Sequence, residues 1–434
     1  MKKLVTVLLV LAMVFGLTAC GGGKKHEAVD HGEATIWYTY TKDQEAYLLK
    51  AVEDFNASQD KFKITATSQS SKGFADSVYQ SVMAGVGPDM IIDYASTAAT
   101  YVEDNKVIAL DEYLSKDLQN SITGQAKEEA LSFEDGKMHV FPLVFSGPVL
   151  FYNPELINAA GIAVPTNWDE VYEASKAIHD LFVWTTTEGD QLVYHVSKED
   201  PGVDGARHPY GFAVDSPTDV LQSMIMQNGV GIWDNAKKEC LFADEKVYAA
   251  LDWYKKGNQE NLFLSNPSLS NYFSDDYNAY NIGMYVGSVA GSPYLKAPWE
   301  VAPMPQTAGG KEWTPAWNRG AMVFNYDDEA RAQAAVAFIE YFATPEVNAG
   351  WCEACVYMTA LSSTENNAAY KAFLNTNEAR ALSALRPESA GSFIAVPAIQ
   401  YVRDAFKKAM SEAASGISGE EAIKNAIEHV NDQL

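Results

Sequence analysis

The chain predicts an α/β fold, a sheet with helices on both faces. Three observations predict it. Strand and helix patterns alternate through the first hundred residues. Met90-Ile91-Ile92 is continuously apolar, as a strand covered on both faces should be. The 434 residues, 47% of them hydrophobic, supply cores for two domains or one large one.

Thr35 to Tyr40 reads as the first strand, and alternation puts Tyr38 and Tyr40 on one face with Trp37 on the other. Thr41 and Gln44 match a capping box, behind which Leu48, Ala51, Val52 and Phe55 repeat at helical spacing. Phe62 to Ala66 returns as a strand. Ser71 is placed to cap a helix carrying Phe74, Val78 and Val82, which Gly85-Val86-Gly87-Pro88 stops. Those glycines follow a helix and precede a strand, the reverse of the order that cradles a phosphate, so no dinucleotide site is expected. Val149 to Tyr152 is an apolar strand. Asn153-Pro154-Glu155 opens a helix with a cap, a proline at its first position and a favourable acid, and Gly161 ends it. Another helix begins over Pro165–Glu170. Residues 183–209 are polar without period and read as a long surface loop or hairpin insertion. Met284 to Val286 is a strand leading to a Gly/Ser-rich turn at 287–291. Asn318-Arg319-Gly320 precedes a strand at Ala321–Phe324, and helices follow over Ala330–Phe342 and from Thr344-Pro345-Glu346. Ser418 and Glu421 form a second capping box, with Ala422, Ile423, Ala426, Ile427 and Val430 as the buried stripe.

The formal charge is −25 and no basic patch interrupts it, which argues against nucleic acid as a partner. The 23 tyrosines and 9 tryptophans each join a flat apolar face to a polar edge, a useful combination in wet clefts, although core packing must claim most of them. Cys352-Glu-Ala-Cys355 has redox-like spacing but ends a helix instead of opening one; a local disulfide and two reduced thiols are both open. Cys240 reads as a free, buried thiol. His26 and His31 are five apart, the wrong spacing for a helical metal pair, and they fall in a solvated linker. No metal and no cofactor is expected.

Lys2 and Lys3 precede an apolar run from Leu4 to Phe15 that is too short to span a membrane. The run closes on Leu17-Thr18-Ala19-Cys20, which resembles a bacterial lipobox. That resemblance implies a signal peptide at 1–19, a lipid on the Cys20 thiol and a tether at 20–32. The mature chain would then be held outside the cytoplasmic membrane by its lipid alone.

Phe151-Tyr152-Asn153-Pro154-Glu155-Leu156, Ala160-Gly161 and Pro165-Thr166-Asn167-Trp168-Asp169-Glu170-Val171 resemble the core of the extracellular solute-binding proteins of bacterial ABC importers, in the maltose-binding-like, family 1 group. Gly87-Pro88-Asp89, Thr344-Pro345-Glu346, Ser415-Gly416 and Glu420-Glu421-Ala422 fit the same order, so the likeness covers essentially the whole mature chain. It implies a two-lobed periplasmic-binding-protein-like fold of type II, with the ligand cleft between the lobes. Crossovers would fall near Phe145–Gly147, Asn318–Gly320 and Tyr357–Leu361. Lobe 1 would take 33–145 plus 318–357, and lobe 2 would take 146–317 plus 358–434. A monomer would capture a sugar or oligosaccharide by hinge closure and deliver it to ABC permease subunits. The segment order is especially similar to the glycerol-3-phosphate-binding branch. Ser146-Gly147-Pro148-Val149-Leu150-Phe151-Tyr152-Asn153 matches a stretch of that branch, and Gly287, Ser288, Gly320 and Tyr357 align with its ligand contacts. Ala95 stands where that branch has an acid. The stretch Gly391–Pro397 lacks its phosphate-binding Arg, with Arg386 a few residues earlier. Losing that cation argues for an uncharged sugar.

The candidate ligand contacts sit at strand ends, where open α/β sheets bind. Tyr38 and Tyr40 end the first strand; Ser71, Lys72 and Phe74 lie at the next edge; Asp93 and Tyr94 end the third strand. Ser146 marks a crossover. Trp233 and Trp317 are candidate stacking platforms. Asn318 and Arg319 flank the second crossover, Arg319 as a hydroxyl clamp or an inter-lobe salt bridge. Asp93 serves either as a hydroxyl acceptor or as a structural strand end. No Gly-x-Ser-x-Gly, His-Glu-x-x-His or P-loop occurs, and the adjacent Asp275 and Asp276 point apart, so an enzyme is not expected. A surface ligand sensor would use the same fold.

Overall fold

Two large sheets share this chain, which passes between them three times. The computed structural model describes residues 26–265, 272–392 and 395–434; the signal peptide and Cys20 expected from the sequence lie outside the described residues. The first stretch forms β1 (Gly32–Tyr38), α1 (Lys42–Ser58), β2 (Phe62–Ser68), α2 (Phe74–Met83), β3 (Met90–Asp93), α3 (Ala95–Val102), α4 (Lys116–Ser121), α5 (Gly124–Ala130) and β4 (Phe141–Ser146). The second forms β5 (Pro148–Tyr152), α6 (Pro154–Ala160), α7 (Trp168–His179), β6 (Phe182–Glu188), β7 (Gln191–Ser197), β8 (Tyr210–Val214), α8 (Pro217–Gln227), β9 (Trp233–Asp234), β10 (Glu239–Cys240), α9 (Glu245–Gln259), β11 (Phe263–Leu264), α10 (Ser274–Asn278), β12 (Ile282–Ser288), β13 (Glu300–Ala302) and β14 (Thr314–Pro315). The third forms β15 (Trp317–Val323), α11 (Glu329–Phe342), α12 (Pro345–Cys355), β16 (Met358–Thr359), α13 (Ser362–Glu365) and α14 (Ala368–Leu374). The last forms β17 (Ala390–Gly391), α15 (Ile399–Ala414) and α16 (Gly419–Asn431).

Lobe 1 holds the sheet β16-β4-β15-β3-β1-β2, and lobe 2 holds β11-β8-β12-β5-β13. Strands β1, β2 and β3 are parallel, while β15 runs antiparallel to both neighbours. Every residue of β4 is buried, and β12 is buried up to Ser288, as strands covered on both faces must be. Asn153 caps α6 by accepting from the Glu155 and Leu156 N–H groups, and Gly161 ends the helix at φ 72°. Ser418 caps α16 in the same way. Two predicted caps form otherwise. Thr41 precedes α1 without a side-chain cap bond. Gly73, not Ser71, stands at the cap of α2, at φ 72°, a left-handed conformation that glycine adopts without Cβ strain. The 183–209 insertion begins as the hairpin β6–β7 and continues as irregular chain to β8.

The first crossing is at Gly147, where a Cβ would lie 2.8 Å from the Pro315 carbonyl oxygen. The second runs through Ala316 between β14 and β15. The third falls later than the 357–361 expected. Val356 takes a left-handed φ of 54° and turns the chain back, so β16 pairs with β4 on lobe 1 (Met358 opposite Phe145). Helix α14 then packs on α12, and the 3-10 turn at Arg380–Ala384 packs on β5 and β13 of lobe 2. Residues 358–374 therefore belong with lobe 1. The tether also differs from expectation at its end. His26 stacks on Tyr113 at 3.7 Å and bonds Glu329, and the Val29 N–H donates to Gln333, so residues 26–29 lie against lobe 1.

Candidate functional site

Sheet register brings the strand ends of both lobes to the crossings. Asp93, at the end of β3, is opposite Gly320; Ser146 is opposite Trp317; Ser288, at the end of β12, is opposite Pro148. Three short hops along paired strands thus connect the carboxyl edge of lobe 1 to that of lobe 2.

Strand β15 does the sorting. Its register with β4 shifts between Arg319 and Gly320, and a Cβ on Gly320 would lie 2.4 Å from the Phe141 carbonyl oxygen, so glycine permits the irregularity. Arg319 is half-buried. Its Nε donates to the Tyr94 hydroxyl at 3.2 Å, and the guanidinium lies 5.1 Å from the Tyr94 ring centre. Tyr40 and Tyr357 complete the surround. Tyr40 is 8% exposed, its ring meets Trp351 edge-on at 5.1 Å, and its hydroxyl has no partner among the described residues. Burial pushes the Tyr40 and Tyr357 phenols up, so both stay neutral hydroxyls; Ser146 bonds Tyr357. Burial also raises the Asp93 carboxyl, which accepts from the Tyr94 N–H at 2.9 Å and from Thr97. Cys352 and Cys355 are free thiols buried behind this group, and burial raises both, which leaves them inert. Cys240 is free and half-buried.

Asn318 faces the other way. Its amide exchanges hydrogen bonds with Gln125 at 2.8 and 3.0 Å and donates to Glu129, while Ser392 donates to Gln125. Burial pushes the Glu129 carboxyl up to about 8. In lobe 2, Gly287 has no room for a side chain: a Cβ would meet the Tyr285 ring at 2.6 Å and Asp215 at 3.0 Å. Ser288 caps the turn after β12 by accepting from the Ala290 N–H at 3.2 Å. Asp215, pushed up to about 6 by burial, accepts from the Phe273 N–H. Asp219 accepts from the Trp317 Nε1–H at 3.2 Å and pairs with Arg403.

The structure therefore gathers Tyr40, Asp93, Tyr94, Ser146, Arg319, Gly320 and Tyr357, with Trp317, Gly287 and Ser288 at the adjoining crossings. It does not gather the rest. The Tyr38 hydroxyl donates to Glu45 on α1. Ser71 and Lys72 are exposed on the loop after β2, and Phe74 packs with Val78 and Val82 on the opposite face of the sheet. Trp233 is 5% exposed within the lobe 2 core and offers no open ring face. Arg386 is exposed and donates to neighbouring carbonyls. Arg319 makes no inter-lobe salt bridge among the described residues. Sequence reasoning missed Gln125, Glu129, Asp219 and Arg403. Only Asp219 carried a signal, since Ser216-Pro217-Thr218-Asp219 has the spacing of a helix start. No cluster of His, Cys, Asp or Glu able to hold a metal occurs among the described residues.

Two α/β lobes joined by three crossings, with polar side chains gathered where the chain crosses, define a two-lobed solute-binding protein. The model of the bacterial extracellular solute-binding proteins matches residues 50–377, and the chain belongs to that family. Comparison with curated protein sequences finds no significant match. Among solved structures, the chain is similar to the cyclic alpha-maltosyl-1,6-maltose binding protein of Arthrobacter globiformis, with TM-score 0.75, 19% identity, and coverage of 93% of this chain and 98% of that one. It is similar to the sugar-binding protein MalE of Xanthomonas citri, at TM-score 0.74, 15% identity, and 92% and 96% coverage. It also resembles an ABC substrate-binding protein of Listeria monocytogenes solved with cycloalternan, at TM-score 0.70, 18% identity, and 93% and 99% coverage. At these identities the likeness is one of fold.

Proposed function

We propose that the chain is the saccharide-capturing subunit of an ABC importer. A lipid on Cys20 tethers it, the ligand is held between the lobes, and hinge closure presents the loaded form to the permease. One observation carries this reading: the strand ends of both sheets meet at the same crossings, through Asp93–Gly320, Ser146–Trp317 and Pro148–Ser288. A ligand there touches both lobes at once, and only contacts stronger in the closed form favour closing. The chemistry suits a sugar. Tyrosine rings cover apolar ring carbons, while Arg319, Asp93 and hydroxyls satisfy the sugar oxygens. The named ligands of the structural neighbours, maltosyl and cycloalternan sugars, support the same class. The proposed contacts are Tyr40, Asp93, Tyr94, Ser146, Arg319 and Tyr357 from lobe 1, with Trp317, Gly287 and Ser288 beside them. The reading is capture by a monomer, without turnover.

Thermal unfolding of the soluble chain against mono-, di- and oligosaccharides and glycerol-3-phosphate tests this. A true ligand at a hundred times its Kd adds about 2.7 kcal/mol of apparent stability. No shift with any saccharide, or turnover of one, contradicts the proposal.

A further inference from the structure

We infer that the captured ligand is an acidic saccharide whose carboxylate or phosphate group is gripped by the Arg319 guanidinium, an inference that rests on the saccharide-capture reading above. Charges withdrawn from water are normally paired. Arg319 is half-buried, yet its only hydrogen bond among the described residues is from Nε to Tyr94; the Asp93 carboxyl feels its charge, but no carboxylate oxygen is within hydrogen-bond reach of its terminal nitrogens there. The nearby acids have hydrogen-bond donors of their own. Asp93 accepts from the Tyr94 N–H and Thr97, and Asp219 is paired with Arg403 and Trp317. The two terminal guanidinium nitrogens are thus left without an acceptor. A planar fork of N–H donors matches a carboxylate or phosphate two bonds at a time.

A second observation points the same way. The Tyr40 hydroxyl is enclosed without a partner beside this guanidinium. Hydroxyls of Tyr40, Tyr94 and Tyr357 therefore surround a fixed cation, and each can donate a proton. Such a ring complements a group rich in lone pairs. A cationic ligand would be repelled. Arg319 is also no part of a general basic surface, since the chain carries −25. Beyond about 8 Å that field is screened at physiological salt, so a local cation can still select an anion. The cation missing from Gly391–Pro397 is supplied instead by β15, and the uncharged sugar expected from the sequence gives way to a charged one.

Titration calorimetry on matched pairs tests the inference: galacturonic acid against galactose, trigalacturonate against maltotriose, and glucose 6-phosphate against glucose. At least one acidic member should bind 30-fold or more tighter than its neutral partner, and rising salt should shrink that ratio. Preference confined to the uronates identifies a carboxylate; preference confined to the phosphate pair identifies a phosphate. Arg319→Gln should bring the ratio within about threefold of unity. If that variant fails to fold, the wild-type ratio decides, together with a ratio reduced about tenfold in Tyr94→Phe. Equal or tighter binding of the neutral members by wild type overturns the inference and leaves saccharide capture standing. A preference retained in Arg319→Gln overturns the role of Arg319. Failure of every saccharide, acidic or neutral, overturns both readings.

Discussion

Asn318 and Arg319 are neighbours on one strand, yet they open onto opposite kinds of environment. On the Asn318 face, every polar group meets another: Asn318 with Gln125 and Glu129, Gln125 with Ser392. On the Arg319 face, a cation and the Tyr40 hydroxyl are under-partnered. A saturated network fixes geometry, because breaking it strands buried groups. An unsaturated one waits for an outside partner. The crossing strand thus joins a rigid back to a receptive front.

Substitutions can break that contrast, and the largest effect belongs to the back. Asn318→Leu should cost about 3 kcal/mol in urea unfolding, because Gln125 and Glu129 both lose a buried partner. Arg319→Gln should cost under about 1 kcal/mol by the same measure, since it removes one side-chain hydrogen bond, to Tyr94, and no salt bridge. Equal costs would erase the distinction between the faces. Gly320→Ala should cost about 2 kcal/mol, because its Cβ, 2.4 Å from the Phe141 oxygen, forces main chain to move. Tyr94→Phe should weaken the acidic ligand about tenfold, equal to about 1.4 kcal/mol, with an unfolding midpoint close to wild type. A lowered midpoint with unchanged affinity would place Tyr94 with the rigid back.

The last contrast concerns pH. The Glu129 carboxyl is raised to about 8 in the folded chain, from 4.5 in the unfolded one. Between those values the folded state holds a proton that the unfolded state has lost. This contribution to stability is complete below about 4.5 and is lost as pH rises to about 8, at about 1 kcal/mol per pH unit. Glu129→Gln should flatten that slope in urea unfolding at pH 5, 6.5 and 8. Parallel slopes for both chains would show that Glu129 ionises freely.

Much of the fold was legible because its signals are local. Asn153-Pro154-Glu155 and Gly161 state where α6 begins and ends, and the apolar run Met90–Ile92 states its burial. Tyr40, Tyr94, Ser146 and Arg319 were legible as strand-end residues. Their partition was not. Alternation alone cannot say which face of β15 meets the cleft edge, because the irregularity beside Gly320 decides it. The third crossing was hidden because β16 is two residues long and Val356 turns the chain by a conformation its side chain does not favour. Trp233 misled because aromatic size serves a core as well as a cleft. Glu129 left no signal, since the amide that donates to its carboxyl, Asn318, lies 189 positions away in the chain.

The central claim is that one ligand engages both lobes at the crossings. Amide hydrogen exchange of the chain, with and without the tightest ligand of the matched pairs, tests it most directly. The account predicts new protection in three segments together: 93–97, 317–320 and 286–290. Protection confined to a single lobe, or centred on the separate surface pocket between Trp168 and Trp253, would contradict it.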